Sequence, residues 1–261
     1  AHQVHQAALM MKVHPSNYRI RGFTEETSVK ALATLGVPVV ADLGSGLIDD
    51  ACSWLQEGRP SWLGEEPAVK QTLESGADLV TFSCDKLFGG PQAGVIAGRS
   101  DLVEACANHP LMRAFRPGAL VLNALQQTAL AYLRRDGDSI PFWRMAQTPV
   151  TELLARADAM SIGRTAHTMA MTGGGSLPGE QIPSAGIEID GDISRRLRDA
   201  NTPVIARVHD QTTVIDLRTV DPGDDSLVEL LQYYSHPDQT PVGNKVSNQL
   251  GCSHVAFTVD N

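Results

Sequence analysis

Short, predominantly apolar runs punctuate the first part of the chain, and each is followed by a polar or glycine-rich turn. The runs occupy residues 37–41, 78–82 and 93–97. Runs of this length are typical of strands buried in a sheet. Between the first two, Glu66-Pro67 predicts the start of a helix and Gly76 predicts its end. Strands that alternate with helices predict an α/β layer with a parallel or mixed sheet.

Helical periodicity accounts for other stretches. Thr24 is placed to cap a helix that runs to Leu35 and ends at Gly36, a residue suited to a left-handed C-cap. Further helices are predicted over residues 101–108, 120–133, 150–171 and 193–199, and from Ser226 onward. Beyond a glycine-rich break, strands are predicted over residues 185–189, 203–208 and 213–217. The elements after the break predict a small α+β domain.

Composition narrows the class of protein. The chain has 261 residues, of which 42% are hydrophobic and 20% charged, so a core is expected and wholesale disorder is not. A net charge of −9 argues against a generic nucleic-acid coat. No apolar stretch is long enough to span a bilayer, so no membrane partner is expected. The cysteines form no CxxC motif and no export leader opens the chain, which predicts a reducing, cytoplasmic setting.

Two of the predicted strand ends carry an ionisable residue. Asp42 follows the first strand and Lys86 follows the second. Ligands of open α/β sheets bind at the carboxyl ends of the strands, so both side chains face one crevice if the strands are neighbours. An amine removed from water can form a Schiff base, and a nearby carboxylate can pair with a pyridinium nitrogen. The pair therefore suits pyridoxal phosphate, although on spacing alone both residues could be ordinary loop residues.

Five ordered motifs around this pair point to a known family. They are residues 12–19 with 22–25 (KVHPSNYR and GFTE), 42–46 (DLGSG), 81–94 (TFSCDKLFGGPQAG), 173–179 (GGGSLPG) and 216–219 (DLRT). In this order they resemble the bacterial selenocysteine synthases, the L-seryl-tRNA(Sec) selenium transferases. The resemblance covers roughly residues 8–232, and five motifs in order are far more specific than any one of them.

The resemblance implies roles for the residues near the cofactor. Lys86 corresponds to the lysine that holds pyridoxal phosphate, and Asp42 to the acid under the pyridine nitrogen. Asp85 corresponds to the acid beside the lysine, which assists proton transfer. Ser83 is expected to hydrogen-bond the cofactor phosphate. His14 is expected to lie near the cofactor or substrate, with a purely structural role as the alternative.

Three arginines are expected to bind anionic groups of the substrates. Arg113 and Arg116 correspond to paired arginines of the family, whose guanidinium forks suit a phosphate or selenophosphate. Arg207 is expected to meet a substrate carboxylate or phosphate from the small domain. Without the resemblance, two arginines in one segment favour a solvated surface.

The resemblance also implies a reaction. It is the pyridoxal-phosphate-dependent conversion of seryl-tRNA(Sec) to selenocysteinyl-tRNA(Sec), with selenophosphate as selenium donor and an aminoacrylyl intermediate. A homo-oligomer, built as a ring of dimers, is implied as well. Two alternatives stay open. One is a related pyridoxal-phosphate-dependent lyase acting on a small amino acid or amino-sugar acid, and the other is an inactive fragment.

The expected fold is α/β, the C-terminal half of an aspartate aminotransferase-like large domain of a PLP-dependent transferase, followed by a small α+β C-terminal domain. We predict a partial cofactor-binding domain over residues 1–148, a connecting helix and glycine-rich linker over 149–183, the small domain over 184–234 and an atypical tail over 235–261. The chain starts at Ala1 and shows no counterpart of the family's N-terminal region, so an N-terminally truncated chain is expected.

Two features depart from the family pattern. Cys84 stands where the family usually has glycine, and a free thiol beside the reactive lysine could itself react. Residues 254–260 in the tail resemble instead the first metal-ligand strand of glyoxalase-type (vicinal oxygen chelate) proteins. One histidine without partners makes no metal site, so no metal is expected.

Overall fold

The structure, a computed structural model, describes residues 7–18, 22, 25–173 and 175–224. It divides into two compact units. Unit 1 draws on Ala1–Arg144 and Thr172–Glu180, and unit 2 on Met145–Met171 and Gln181–Asn261. The glycine-rich segment therefore groups with unit 1, whereas the domain borders expected from the sequence stay predictions. The helix expected from Ser226 and the atypical tail lie outside the described residues.

A four-stranded sheet forms the centre of unit 1. Its strands are β1 (Met10–Val13), β2 (Val39–Gly44), β3 (Leu79–Ser83) and β4 (Gly94–Gly98), in the order β1-β2-β3-β4. The first three are parallel, and β4 returns antiparallel to β3 after the loop of residues 84–93. The α/β layer expected from the apolar runs is present. Strand β1 was not predicted, because two of its four residues are exposed and it lacks the profile of a buried strand.

Helices of unit 1 follow the predicted order with shifted ends. They are α1 (Val29–Ala33), α2 (Val69–Glu74), α3 (Ser100–Ala107) and α4 (Ala119–Arg134), and α5 (Pro141–Gln147) follows at the border of the units along the chain. The prediction that Thr24 caps the first helix is wrong. Ser28 is the N-cap, because its extended backbone lets the hydroxyl accept the N–H of Ala31 at 3.1 Å. Thr24 itself lies outside the described residues.

The core of unit 1 has two clusters of buried side chains. One lies on the buried face of the sheet and includes Ala41, Leu43, Val80 and Phe82. The other surrounds Trp143, which is fully buried, and brings together residues distant in sequence. Its other members are Leu47, Cys52, Trp54, Leu55, Leu63, Ala68, Leu87, Ala131, Ile140 and Leu177. Burial of this much apolar surface is the main force that holds unit 1 together.

Unit 2 is an antiparallel sheet with helices packed on it. Helix α6 (Val150–Met160) and α7 (Ser194–Arg198) accompany strands β5 (Arg164–Ala170), β6 (Ile182–Asp190), β7 (Arg207–His209) and β8 (Thr212–Asp216). The strand order is β5-β6-β8-β7. Leu153, Ala157 and Met160 of α6 pack in one cluster with Ala185 and Ile187 of β6. This is the small α+β arrangement that the sequence predicts.

The long helix predicted over residues 150–171 is wrong in its second half. Helix α6 stops at Met160, because Ser161 takes a left-handed conformation with φ of 52°. The chain then forms β5, which pairs with β6 along seven positions. A strand gains a full ladder of backbone hydrogen bonds from this neighbour, and that tertiary pairing overrides the helical periodicity. The strand predicted over residues 203–208 is also shorter and later, at β7.

The DLRT motif has a structural role in unit 2. Asp216 accepts hydrogen bonds from the hydroxyls of Thr168 and Ser184. Arg218 is only 4% exposed, and its guanidinium donates to four backbone carbonyl groups. The acceptors are the carbonyl oxygens of Met145, Ala146, Thr148 and Pro183, at 2.5 to 3.0 Å. Burial lowers the pKa of Arg218, and the nearby Asp216 carboxylate opposes that shift.

In the described part of the chain, no helix combines the length and apolarity needed to cross a bilayer.

We expect Arg218→Ala to lower the free energy of unfolding by about 3 kcal/mol or more, because four backbone carbonyl groups lose the donor that a buried guanidinium supplies. Urea unfolding of the full chain measures this loss. Arg195→Ala is the matched control, since the Arg195 side chain is 93% exposed and, among the described residues, its one ion-pair partner is Asp199, the C-cap of α7. Its effect should stay below about 0.5 kcal/mol. Equal losses for the two variants would contradict the structural role of Arg218.

Candidate active site

The carboxyl ends of three parallel strands meet at one edge of the sheet in unit 1. His14 directly follows β1, Asp42 lies near the end of β2, and Lys86 follows β3 by three residues. The His14 backbone N–H donates to the Asp42 carbonyl oxygen at 2.8 Å. Strands β2 and β3 are direct neighbours, so the condition under which Asp42 and Lys86 share one crevice is met.

The Asp42 carboxylate is oriented by the neighbouring strand. Residues of β2 alternate between buried and half-buried, and Asp42 is one of the half-buried ones. Thr81 is its register partner on β3, and the Thr81 hydroxyl donates to Asp42 Oδ1 at 2.9 Å. This hydrogen bond fixes one carboxylate oxygen. The other oxygen can accept a hydrogen bond from a group at the strand end.

The Lys86 amine lies beside the end of β2. The register with β3 shifts between Asp42 and Gly44, and Gly44 has a φ of +71°, which favours glycine. A Cβ at Gly44 would lie 3.9 Å from Lys86 Nζ and 2.7 Å from the hydroxyl oxygen of Ser16. Lys86 is half-buried. The amine therefore lies beside Gly44, a residue without a side chain that is two positions beyond Asp42 on β2.

The loop that carries Lys86 is tied to the rest of unit 1 on both sides. The Leu87 N–H donates to the Ser45 carbonyl oxygen at 2.8 Å, which joins the loop to the end of β2. The Tyr132 hydroxyl donates to the Phe88 carbonyl oxygen at 3.0 Å and accepts the Trp143 indole N–H at 2.8 Å. Because Leu87 and Phe88 are themselves buried, the backbone at Lys86 has little freedom.

His14 has a partner that the sequence did not indicate. Its Nε2 lies 3.4 Å from Oε2 of Glu66, whose side chain is 3% exposed. The other oxygen, Oε1, is buried and has no hydrogen-bond partner among the described residues. Glu66 orients the imidazole at the strand edge. The sequence signalled Glu66 only as the opening of a helix, and no local pattern links residues 52 positions apart.

Ser83 and Asp85 flank Cys84 in the lysine loop, and both are half-buried. Cys84 itself is fully buried. Burial raises the pKa of its thiol to about 11, and the neighbouring Asp85 carboxylate acts in the same direction. The thiol is therefore protonated near neutral pH, when it is a poor nucleophile. The roles expected for Ser83 and Asp85 stay predictions.

The three predicted anion-binding arginines take no part in the contacts described above. Arg113 ends a short 3-10 turn (Pro110–Arg113), and Arg113 and Arg116 are both exposed. Arg207 belongs to unit 2, where it donates to the Met169 carbonyl oxygen at 2.8 Å and lies 3.4 Å from Asp216. No hydrogen bond or ion pair between described residues joins Arg113 or Arg116 to Lys86 or Asp42. Their roles stay predictions.

Comparison with known proteins identifies relatives. A model of the L-seryl-tRNA selenium transferase family matches residues 3–221. The L-seryl-tRNA(Sec) selenium transferase of Moorella thermoacetica is 41% identical over 83% of this chain and 50% of the relative. The protein of the same name from Alkaliphilus oremlandii is 37% identical over 82% of this chain and 49% of the relative. The resemblance drawn from the five motifs is confirmed, and the chain spans about half the length of these curated relatives.

A solved structure shows the same fold. The structure of D-glucosaminate-6-phosphate ammonia-lyase matches with a TM-score of 0.51, over 86% of this chain and 56% of that chain, at 20% identity. A likeness of shape at this identity shows the fold alone. The α/β fold class expected from the sequence is confirmed.

We expect Cys84 to resist alkylation in the folded protein. At pH 8, a rise of the thiol pKa from 9.0 to about 11 cuts the thiolate fraction, and hence the reaction rate, roughly 100-fold. Burial slows the reaction further. Iodoacetamide labelling followed by peptide mass mapping measures the rate, with the half-buried Cys106 as the internal reference. Unfolding in urea should make the two rates similar. If Cys84 reacts as fast as Cys106 in the folded chain, the prediction is wrong.

Proposed function

Since this chain belongs to the L-seryl-tRNA selenium transferase family, we propose that it acts in the conversion of seryl-tRNA(Sec) to selenocysteinyl-tRNA(Sec), with selenophosphate as the selenium donor and pyridoxal phosphate as the cofactor. The observation that carries the proposal is the position of the Lys86 amine, 3.9 Å from a Cβ built on Gly44. An amine at the carboxyl edge of a parallel sheet, next to the strand that bears Asp42, is what this cofactor requires.

The residues at the sheet edge fit the cofactor. Lys86 would bond to its aldehyde carbon, and the free oxygen of Asp42 would accept the hydrogen bond of the pyridine nitrogen. The glycine at position 44 leaves open a space that a Cβ would fill against Ser16 and Lys86. When bound, pyridoxal phosphate supplies an electron sink for the loss of an α-proton. Ser83 is the donor that we assign to the cofactor phosphate.

The protein's own groups position and move protons. Thr81 holds the Asp42 carboxylate, and the Leu87 and Phe88 anchors hold the backbone of the lysine loop. The Lys86 amine and the Asp85 carboxylate are adjacent in the chain and are the proton carriers that we propose. His14 is held by Glu66 at the same edge, where we assign it to contact the cofactor or substrate.

Arg113 and Arg116 are the groups that we propose for the anionic substrates. Both are exposed, and neither forms an ion pair with a described residue, so their guanidinium groups are free to bind phosphate or selenophosphate. Arg207 has a similar assignment in unit 2, although its guanidinium already lies near Asp216.

We also propose a homo-oligomer and a cytoplasmic location, as the family resemblance implies. The lyase alternative gains no support, because the ammonia-lyase shares the fold at only 20% identity.

Lys86→Ala should abolish covalent capture of pyridoxal phosphate, because the amine that bonds to the aldehyde is gone. The measurement is borohydride reduction of the full chain with the cofactor, followed by mass analysis of the peptides. Lys70→Ala is the control, since Lys70 is an exposed lysine that pairs with Asp49 at 3.1 Å. We expect that variant to behave as the parent. If the Lys86→Ala chain still forms the same reduced pyridoxal phosphate adduct as the parent, the proposal is wrong.

Asp42→Asn should weaken binding of pyridoxal phosphate by about tenfold or more, which corresponds to about 1.4 kcal/mol. The amide oxygen can still accept the Thr81 hydroxyl, so local geometry is kept, but the negative charge that favours a protonated pyridine is lost. Absorbance titration measures the affinity. Thr81→Val is the comparison, because it removes the hydrogen bond and keeps the carboxylate. Parent-like affinity in Asp42→Asn would refute the assignment of Asp42.

A further inference from the structure

The glycine-rich segment runs past the end of the Lys86 side chain. We call residues 172–180 the glycine strap. It belongs to unit 1, as does Lys86. A Cβ at Gly175 would lie 3.0 Å from Lys86 Cε, 3.5 Å from Nζ and 3.6 Å from Cδ. Carbon atoms in ordinary contact are about 3.5–4.0 Å apart, so the outer half of the lysine occupies the space of the missing side chain.

Buried residues hold the strap on one side of Gly175. Leu177 is 5% exposed and belongs to the same core cluster as Leu87, the residue after Lys86. Its φ of +54° is unusual for a residue with a side chain, and packing must hold it there. Ser176 is also buried, and its carbonyl oxygen accepts the Thr172 hydroxyl at 3.0 Å. The strap is therefore fixed against the lysine loop, and its position does not depend on Lys86.

Two glycines from different parts of the chain thus border the same amine. Gly44 borders it at the end of β2, and Gly175 borders it from the strap. A lysine side chain has four rotatable bonds, so backbone on two sides restricts where its amine can lie. From the sequence, this segment is predicted to be part of a linker between domains. Its contact with Lys86 indicates a different use.

We propose that Gly175 is a positioning residue for Lys86. The strap confines the lysine chain so that its amine stays beside β2, and the absence of a side chain at position 175 leaves the room that the lysine and a group bonded to it need. A methyl group there would displace the flexible end of Lys86 and leave the fold in place. This proposal rests on the proposed function for its meaning, but the position of the amine can be tested without the cofactor.

The strap contains its own controls. Gly173 and Gly179 have φ values of +98° and +78°, and Gly175 has a φ of +131°. All three lie in the region that favours glycine, so alanine strains the backbone at each. A Cβ at Gly173 or at Gly179 would meet no atom of the described residues within 4 Å. Alanine at these two positions therefore reports the strain alone, whereas Gly175→Ala adds the contact with Lys86.

The first experiment follows the amine directly. Reductive methylation of the full chain without cofactor, with mass analysis of the peptides, gives the rate at Lys86 relative to the exposed Lys70. We expect Gly175→Ala to change this ratio by about threefold or more, and Gly173→Ala and Gly179→Ala to leave it unchanged. Thr172→Val loosens the strap without filling the space, so we expect it to change the ratio by a smaller factor. This variant replaces Gly175→Ala in the test if Gly175→Ala does not fold. If the ratio stays at the parent value in both Gly175→Ala and Thr172→Val, the proposal is wrong.

The second experiment uses pyridoxal phosphate. We expect Gly175→Ala to lower its affinity about tenfold and to reduce the circular dichroism of its absorption band, which reports a fixed orientation, while the two control variants keep both. If Gly175→Ala matches its controls in both readouts, the positioning role is wrong. If the parent chain captures no cofactor but the methylation ratio still responds to Gly175→Ala, the proposed function fails for this chain and the positioning role stands.

Discussion

The parallel pairing of β2 with β3 is the constraint on which the site depends. In this pairing Asp42 lies opposite Thr81, and the hydroxyl of Thr81 orients the carboxylate. The same pairing brings the loop after β3 to the end of β2, where Leu87 donates to Ser45. A slip of one position would turn Asp42 to the opposite face of the sheet, into the buried cluster. Register therefore decides whether the acid and the lysine can serve one ligand.

Packing around the aromatic core gives the lysine loop its rigidity. Trp143 is fully buried and donates to Tyr132, which in turn holds the carbonyl oxygen of Phe88. Leu87 and Leu177 lie in the same cluster as Trp143, so the core holds the loop and the glycine strap together. Lys86 itself is not a member of this cluster. A reactive side chain on a rigid loop can be exposed to a ligand without loss of stability, since neighbours supply the burial.

Unit 2 illustrates how a motif can be shared by a family for a structural reason. Arg218 of the DLRT motif is buried and satisfies four backbone carbonyl groups, and Asp216 collects two hydroxyl donors. Both residues carry charges, and both could have been assigned to substrate from the sequence alone. Their hydrogen bonds inside the unit account for them without a ligand. Arg207, by contrast, is half exposed, although it too donates inside the unit, to the Met169 carbonyl oxygen and to Asp216.

Local pattern was enough to predict the α/β alternation, a strand near β4, and the placement of Asp42 and Lys86 at strand ends, because each depends on residues close in the chain. Three features were decided only by the tertiary structure. Strand β5 replaced half of a periodic helix because β6 offered it a full ladder of hydrogen bonds. Glu66 contacts His14 although the two are 52 positions apart in the chain, and Gly175 lies beside Lys86 because the burial of Leu177 holds the strap there. Contacts between distant positions follow from how the core packs, and periodicity carries no record of them.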